Sequence, residues 1–359
     1  CSGQLLRVHS MIEPNSELII DYELVRNNIQ TIKSNLSKDC KFMGIIKSNA
    51  YGHDLGIAAK ALNDIVDGFG VVRLDEAIAV REESSKPILA MQGVYSSDAY
   101  DLLKKNNIWT VIHSDAQLPL AKQYLEELTF WLKLNTGMNR LGFDIKALDQ
   151  LKPFAKDSNL LMTHLACADN QGDELNNIQL RNFDKAWREL GQNLGRSILN
   201  SSGVCNFPEH AHDWVRVGIA MYGGLDLHGL KTAMTFRSQI ISIQSLNANE
   251  RIGYGGRVKT EKKSKIAIIY CGYADGFPQI ALDGTSVLVN GNLSSIIGRV
   301  SMDLISIDIT DIPDCKIGDW CELWSPELSI LENTQKNNLI SYELMTKMNR
   351  RVKRQYQNI

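Results

Sequence analysis

Five predicted strand ends carry side chains that could act together on a small molecule. On or just beyond these strands lie a lysine, two arginines, a histidine and a serine, namely Lys47, Arg140, His164, Ser201 and Arg216. A lysine amine can form a Schiff base with an aldehyde. The turn that begins at Ser201 and the backbone amides near Gly218 and Ile219 could hold a phosphate. Singly, each residue has an ordinary structural explanation, but their joint placement predicts a phosphate-bearing cofactor or substrate beside Lys47.

The elements that must position these residues alternate in type from about residue 40 to residue 225. Helical segments at Asp75–Glu83, Asp115–Leu128, Lys146–Lys156 and Asn176–Leu190 separate short apolar runs rich in β-formers. The predicted strands are Phe42–Ile46, Gly68–Val72, Pro87–Gln92, Trp109–His113, Phe130–Leu134, Leu160–Leu165, Ser197–Asn200 and Val215–Met221. This pattern predicts a (β/α)8 TIM-type barrel, whose catalytic groups lie at the carboxyl ends of the strands.

A doubly wound open sheet is the alternative architecture for this region. Gly68-Phe69-Gly70 resembles the start of a dinucleotide-binding fingerprint, but Arg73 occupies the place of the third glycine. The fingerprint is therefore a weak indication.

Beyond about residue 235 the sequence predicts a mostly-β domain. Turn formers separate closely spaced strands, and Asn290-Gly291 is typical of a hairpin. The predicted strands are Arg237–Leu246, Ser264–Tyr270, Ser286–Asn290, Leu293–Ile297, Asp303–Ile309 and Trp320–Trp324, followed by a short basic helix near Glu343–Arg354. We assign residues 1–12 to an N-terminal tail, 13–235 to the barrel and 236–359 to the β domain, with 13–20 as a strand that could pair with the β domain. Met11 is a candidate native start, so residues 1–10 receive no function.

The amino-acid composition limits the kinds of molecule that the protein could bind. Lys and Arg number 39 against 41 Asp and Glu, for a net charge of -2, and this argues against a nucleic-acid partner. Seven scattered cysteines without zinc-site spacing predict reduced thiols and no metal. No apolar run reaches the roughly 18 residues of a membrane span. We expect a cytoplasmic protein that acts on a small molecule.

The segment Lys47-Ser-Asn-Ala-Tyr-Gly-His53 closely resembles the lysine motif of the alanine racemases, a family of fold type III enzymes that use pyridoxal 5′-phosphate (PLP). Other similar segments occur in the same order as in that family: Thr136–Gly142, Met162–Asp169, Asn200-Ser201, Arg216–Gly223, Gly253–Gly256, Gly272–Gly276, Gly298–Asp303 and Ile340–Leu344. The resemblance implies an isomerase that interconverts L- and D-alanine and supplies D-alanine for cell-wall peptidoglycan.

The resemblance also implies a role for each matching residue. Lys47 would carry PLP and exchange a proton on one face of the substrate, while Tyr254 would act on the opposite face. Two bases are needed because one alone would tend to return the proton to its original side. Further implied roles are a catalytic network of His164, Arg216 and Asp303, cofactor contacts from Tyr51, Ser201, Arg216, Gly218, Ile219 and Tyr342, and substrate contacts from Arg140, Met302 and Tyr273.

In the family, Tyr254, Tyr273, Met302 and Asp303 reach the cofactor of the other protomer, so the resemblance implies a homodimer with composite active sites. Arg216 would face the pyridine nitrogen of PLP, and a permanent cation there disfavours protonation of that nitrogen. A hydrogen-bond chain through His164 to Arg216 would help Tyr254 to act as a base.

Some positions depart from the family pattern or leave it open. Asp54 stands where glycine is frequent, Asn135 where aspartate is frequent, and Ser301 where several members have cysteine. Lys133 matches a lysine that some members carry as a carbamate. A serine or broad-specificity racemase is the alternative within the same scaffold, and a non-catalytic PLP carrier is the alternative outside the enzymes. Such carriers lack the β domain that holds Tyr254.

Overall fold

A computed structural model describes residues 15–227 and 229–359. The N-terminal tail 1–12 and residues 13 and 14 of the predicted first strand lie outside the described residues. The chain divides into two compact units. We call residues 20–234, 340–347 and 356–359 the barrel unit, and the described residues of 1–19 with 235–339 and 348–355 the β unit.

The barrel unit is built on parallel strands. They are β2 Lys41–Ile45, β3 Gly68–Val71, β4 Ile88–Ala90, β5 Trp109–Ile112, β6 Phe130–Asn135, β7 Phe143–Asp144, β8 Leu160–Met162, β9 Gly195–Ser197 and β10 Trp214–Val217. Eight of them follow the order β10-β2-β3-β4-β5-β6-β8-β9, and the short β7 pairs with β6 off this path. The eight predicted strands are all present, and the predicted (β/α)8 plan is confirmed as a near-closed barrel.

The two end strands of this order, β9 and β10, form no ladder with each other in the described part of the chain. Single contacts bridge the seam instead. The Arg216 backbone amide donates to the Leu199 carbonyl at 3.0 Å, and the Ser197 hydroxyl donates to the Trp214 carbonyl at 2.8 Å. The seam is therefore the weakest backbone pairing in the barrel wall.

Helices follow most of these strands. Those of the barrel unit are α1 Tyr22–Lys33, α2 Lys47–Tyr51, α3 Leu55–Ala61, α4 Leu74–Glu83, α5 Ser97–Lys105, α6 Leu118–Ala121, α7 Glu174–Leu190, α8 Ser201–Asn206 and α10 Ser341–Thr346, and α9 Ile330–Asn337 belongs to the β unit. The longest, α7, starts two residues before the predicted helix because Asp173 caps it by accepting from the Leu175 amide. No helix in the described ranges is both long and apolar enough to cross a membrane.

Two predicted helices are replaced by shorter pieces. The segment predicted at Lys146–Lys156 is a 3-10 helix, Asp149–Phe154, which contains Pro153. Proline lacks the amide hydrogen that an α-helix needs at that point. The segment predicted at Asp115–Leu128 breaks into α6 flanked by single 3-10 turns at Asp115–Gln117 and Lys122–Tyr124.

The β unit is an antiparallel barrel. Its strands are β11 Met234–Leu246, β12 Arg251–Ile252, β13 Val258–Lys259, β14 Ser264–Ile269, β15 Ser286–Val289, β16 Asn292–Ile296, β17 Ile305–Asp308 and β18 Trp320–Trp324. The order is β14-β17-β16-β15-β18-β11, and pairing of β14 with β11 closes it. The two residues between β15 and β16, Asn290 and Gly291, both have positive φ, which a two-residue hairpin turn requires.

Strands β1 Ser16–Asp21 and β19 Lys353–Gln357 extend this sheet beyond β11. The short basic helix predicted near Glu343–Arg354 is confirmed only at its start, because α10 ends at Thr346 and the chain enters strand β19 at Lys353. The Arg354 side chain donates to the Met348 carbonyl at 2.9 Å and to the Asn349 carbonyl at 3.2 Å, which stabilises the turn that precedes β19. Pairing with β1 then satisfies backbone groups that the helix would have satisfied internally.

Candidate active site

A cavity of about 310 Å3 opens at the carboxyl ends of the barrel strands. All of its lining residues belong to the barrel unit. They include the predicted site residues Lys47, Tyr51, Lys133, Arg140, His164, Ser201, Arg216, Gly218, Ile219 and Tyr342. The structure thus gathers into one cavity side chains that lie almost 300 positions apart in the chain.

Lys47 begins a left-handed turn directly after β2. The four residues that follow it, Ser48 to Tyr51, have φ between 51° and 54°. This conformation costs an L-residue about 1–2 kcal/mol, so tertiary contacts must hold it in place. The Ser48 amide donates to the Glu76 carboxylate at 2.7 Å, and the Ala50 amide donates to the Ile46 carbonyl at 2.8 Å. The turn places Lys47 and Tyr51 on the same cavity.

Cations dominate the cavity. Its lining includes Lys47, Lys133, Arg140 and Arg216 and no carboxylate among the described residues. Burial lowers the pKa of Lys133 to about 8, and Arg216, Arg140 and Lys47 contribute to this lowering. Burial and then Arg140 lower the pKa of Lys47. An anionic ligand would therefore be attracted here, and both amines carry a larger neutral fraction than exposed lysines.

One end of the cavity presents groups suited to a phosphate. Ser201 begins α8, whose first turn is capped by Asn200 accepting from the Gly203 amide at 2.9 Å. The Gly218 amide donates to the Ser201 hydroxyl at 2.9 Å. A side chain at Gly218 is excluded, because its Cβ would lie 2.5 Å from the Tyr51 hydroxyl. Hydroxyls and the positive end of a helix thus meet on one wall.

Arg216 is almost fully buried, and its hydrogen bonds go to the neighbouring strand ends. Its Nη1 donates to the Ser197 carbonyl at 2.9 Å, and its Nη2 donates to the Thr163 carbonyl at 2.6 Å and the Ile198 carbonyl at 3.2 Å. No hydrogen bond joins Arg216 to His164, both of which are described. The expected hydrogen-bond chain from His164 to Arg216 is thus not seen. Arg216 acts on His164 through its charge, which adds to the effect of burial in lowering the pKa of His164.

His164 is a neutral imidazole. Burial, followed by the charges of Arg216 and Lys133, lowers its pKa to about 3. Its Nε2 lies 3.4 Å from the Asn200 amide nitrogen, so Asn200 can donate to it. A neutral histidine in this position can accept one hydrogen bond and donate another without adding a further charge to the cavity.

The remaining predicted residues lie in the β unit, and all four are exposed. Tyr254 is 70% exposed, on a 3-10 turn between β12 and β13. Tyr273, Met302 and Asp303 lie together, because the Tyr273 amide donates to the Ser301 carbonyl at 3.0 Å and the Ala274 amide donates to the Met302 carbonyl at 3.0 Å. Exposed aromatic and apolar side chains of this kind often mark a protein–protein contact.

Sequence reasoning missed some residues that hold the site in place. Arg351 donates to Asp275 at 2.5 Å and to Asp303 at 2.7 Å, and so ties together the loops that carry Tyr273 and Met302. Glu76 accepts from the amide of Ser48 and lies in the first turn of α4. The sequence alone does not indicate these roles, because a charged residue on a helix or near the C-terminus has no distinctive pattern.

Comparisons with known proteins agree along most of the chain. The family models for the alanine racemase N-terminal and C-terminal domains match residues 20–226 and 233–356. The chain is 36% identical over 352 residues to an alanine racemase of Nitrosomonas eutropha, covering 93% of this chain and 96% of that protein. An alanine racemase of Mannheimia succiniciproducens is also 36% identical, over 348 residues, with 92% of this chain and 96% of that protein covered.

Solved structures show the same similarity. The biosynthetic alanine racemase from Pseudomonas aeruginosa is 35% identical, with a TM-score of 0.90, covering 96% of this chain and 100% of that one. The alanine racemase from Acinetobacter baumannii is 31% identical, with a TM-score of 0.91 and the same coverage. That from Bartonella henselae, solved with covalently bound pyridoxal phosphate, is 27% identical, with a TM-score of 0.86, covering 95% of this chain and 99% of that one.

Proposed function

The chain belongs to the alanine racemase family of enzymes, and we propose that it interconverts L- and D-alanine with PLP bound on Lys47. The observation that carries the proposal is the placement of Lys47 in a cationic cavity whose one wall offers phosphate contacts. When bound, PLP supplies a ring that withdraws electrons and stabilises negative charge at the substrate Cα.

The residues present fit PLP. Tyr51, Ser201, Tyr342 and the backbone of Gly218 and Ile219 would hold its phosphate. This wall combines hydroxyls with the N-terminus of α8, which favours an anion. Arg216 would lie toward the pyridine nitrogen, and its permanent charge would keep that nitrogen unprotonated. Arg140 would hold the phenolic oxygen and, with the backbone of Met302, the substrate carboxylate.

Lys47 and Tyr254 would move the proton on opposite faces of the substrate Cα. The lowered pKa of Lys47 favours this role, because a larger fraction of the amine is neutral and able to accept a proton. Tyr254 is exposed on the β unit, as a residue contributed to another protomer would be before assembly. We therefore propose a homodimer in which Tyr254, Tyr273, Met302 and Asp303 complete the partner's site.

Lys133 is our candidate for carbamylation. Its amine has a pKa of about 8, and reaction with CO2 needs the neutral amine. A carbamate would place a negative charge in a cavity otherwise lined by cations, where it could orient Arg140. We propose further that the enzyme acts in the cytoplasm and supplies D-alanine for peptidoglycan synthesis.

Racemisation by the purified protein tests the proposal directly. We expect D-alanine to form from L-alanine faster than the antipodes of L-serine or L-lysine form. Borohydride reduction followed by peptide mass spectrometry should find the pyridoxyl group on Lys47, and Lys47→Arg should lose it. A protein that binds PLP and racemises none of the three amino acids would be a carrier and not a racemase.

A further inference from the structure

His53 is fully buried, and it has no part in the site described above. Its Nδ1 lies 3.0 Å from the Ala50 carbonyl oxygen and 3.1 Å from the Tyr51 carbonyl oxygen. Both of these oxygens are acceptors, so Nδ1 must carry a proton. Burial lowers the pKa of His53 to about 4, which keeps the ring neutral near pH 7. The ring is thus a fixed hydrogen-bond donor inside the core.

The carbonyls that it bonds belong to the left-handed turn after Lys47. Four successive non-glycine residues in this conformation persist only where surrounding contacts hold them. The Tyr22 hydroxyl donates to the His53 carbonyl at 2.6 Å, so the backbone of His53 is itself anchored to α1. His53 therefore connects the end of the turn to a rigid helix of the barrel unit.

The face of the His53 ring makes a second connection. It stacks on Tyr222, with ring centroids 4.2 Å apart and an interplanar angle of 24°. Tyr222 ends the 3-10 turn Ile219–Tyr222, which follows Gly218 on the phosphate wall. Tyr51 also packs on Tyr222, at 5.4 Å between centroids. One imidazole therefore joins the lysine turn to the turn opposite it.

Simple packing does not account for a histidine here. Its Nε2 is buried and has no hydrogen-bond partner among the described residues. Burying a polar atom without a partner is unfavourable, and a phenylalanine of similar shape would avoid it. What histidine adds in comparison with phenylalanine is the Nδ1 donor, which bonds two carbonyls of the turn.

We propose that His53 is a positioning residue that sets where the Lys47 amine and the Tyr51 hydroxyl meet PLP. It does so by donating to the turn and by stacking against the phosphate wall. The inference rests on the proposed function, since it concerns the same cofactor site.

Two variants of the enzyme separate the effect of the Nδ1 donor from that of the ring face, and a third variant is the control. His53→Phe keeps a ring face and loses the donor, whereas His53→Asn keeps a short donor and loses the face. His212→Phe is the matched control, because His212 also has a buried Nε2 without a partner in the described part of the chain, whereas no hydrogen bond joins it to the turn after Lys47. Each apoprotein is titrated with PLP, and its absorption spectrum, kcat, KM and thermal unfolding are measured.

We expect His53→Phe to weaken PLP binding roughly tenfold, the ratio for one hydrogen bond of ordinary strength. Its bound cofactor should show a shifted absorption spectrum, and kcat should fall more than KM changes. His53→Asn should recover part of the affinity. His212→Phe should leave affinity, spectrum and kcat unchanged.

Wild-type PLP affinity and spectrum in both His53 variants, with only a lower unfolding temperature, would show that His53 merely packs and would overturn the proposal. If His53→Phe does not fold, the test rests on His53→Asn and Tyr222→Leu. Wild-type PLP affinity in both of these variants would equally overturn the proposal. A wild-type protein without a pyridoxyl group on Lys47 after borohydride reduction would instead refute the proposed function.

Discussion

Arg216 should contribute strongly to the stability of the barrel, apart from any role toward PLP. It lies on β10, beside the seam at which β9 and β10 form no ladder in the described residues. Its guanidinium donates across this seam to the carbonyls of Ser197 and Ile198 and to that of Thr163 after β8, and a fourth hydrogen bond goes to the Ser197 hydroxyl. The side chain thus supplies the pairing that the backbones lack.

Arg216→Lys keeps the charge and removes this geometry. An ammonium presents its three donors from one atom, so it leaves at least one of the four acceptors unpaired, and without the forked guanidinium geometry we expect two of the four hydrogen bonds to be lost. Each hydrogen bond from a charged donor contributes about 1.5–3 kcal/mol. Loss of two predicts a decrease of about 3–6 kcal/mol in the free energy of unfolding. For a protein with a stability of about 5–15 kcal/mol, this is a large fraction.

Urea denaturation of the apoprotein, followed by circular dichroism, measures this loss without the cofactor. Arg196→Lys is the control, since the Arg196 side chain packs over the Trp187 ring at 4.1 Å, and the contact of this residue across the seam is made by its backbone amide, which donates to the Asp213 carboxylate at 2.8 Å and is kept in the variant. We expect the control to lose less than about 1 kcal/mol. Equal midpoints and slopes for the two variants would refute the role of Arg216 in closing the barrel.

Other predictions concern the second base, the strained loop and pH. Tyr254→Phe should slow racemisation by at least about 100-fold in both directions, with PLP affinity unchanged, because the equilibrium constant of one makes the two kcat/KM values fall together; exchange of the D-alanine Cα hydrogen with deuterated solvent should persist on Lys47, and equal loss of exchange from both antipodes would show that Tyr254 is only structural. Asp54→Gly should raise the free energy of unfolding by about 1 kcal/mol, because it relieves a φ of 80° at a cap that glycine replaces at little cost; a lower urea midpoint would contradict this. The pKa values of His53 and His164 are about 4 and about 3 in the folded chain. The unfolded chain therefore binds protons first as pH falls below about 6.5, and apoprotein stability should drop by up to about 1.4 kcal/mol per pH unit for each histidine. A urea midpoint that stays constant between pH 6.5 and pH 5 would exclude this.

Alternation of strand and helix predicts the barrel well because most of its strands are buried apolar runs, whereas β9, Gly195–Ser197, is only partly buried. The strands that begin at Gly68, Trp109 and Phe130 start at the predicted residue, and all three are flanked by polar turns. Prediction fails where tertiary pairing decides the structure. The basic segment Lys353–Gln357 has the composition of an exposed helix and becomes a strand because β1 offers it an edge.

Prediction of the site follows the same division. Lys47 and Ser201 follow recognisable strands and Arg216 lies on one, so their position at one end of the barrel can be deduced from topology. The hydrogen bonds of Arg216 could not be deduced, because they depend on the missing ladder between β9 and β10. The clustering of Tyr273 and Met302 is implied only by the family resemblance, because it depends on backbone contacts between two loops of the β unit.

Apart from Lys47 and Tyr51, which line the cavity, the Lys47–His53 motif consists of residues that set the backbone conformation. Asn49 tolerates positive φ and also accepts from the Leu55 amide at 2.9 Å, so it stabilises the turn in two ways. Gly52 is required because a Cβ there would lie 2.2 Å from the Met345 carbonyl. His53 then donates from its Nδ1 to two carbonyls of the turn. Because these residues fix the backbone that carries Lys47, substitutions among them should change activity by displacing the amine and not by removing a reacting group.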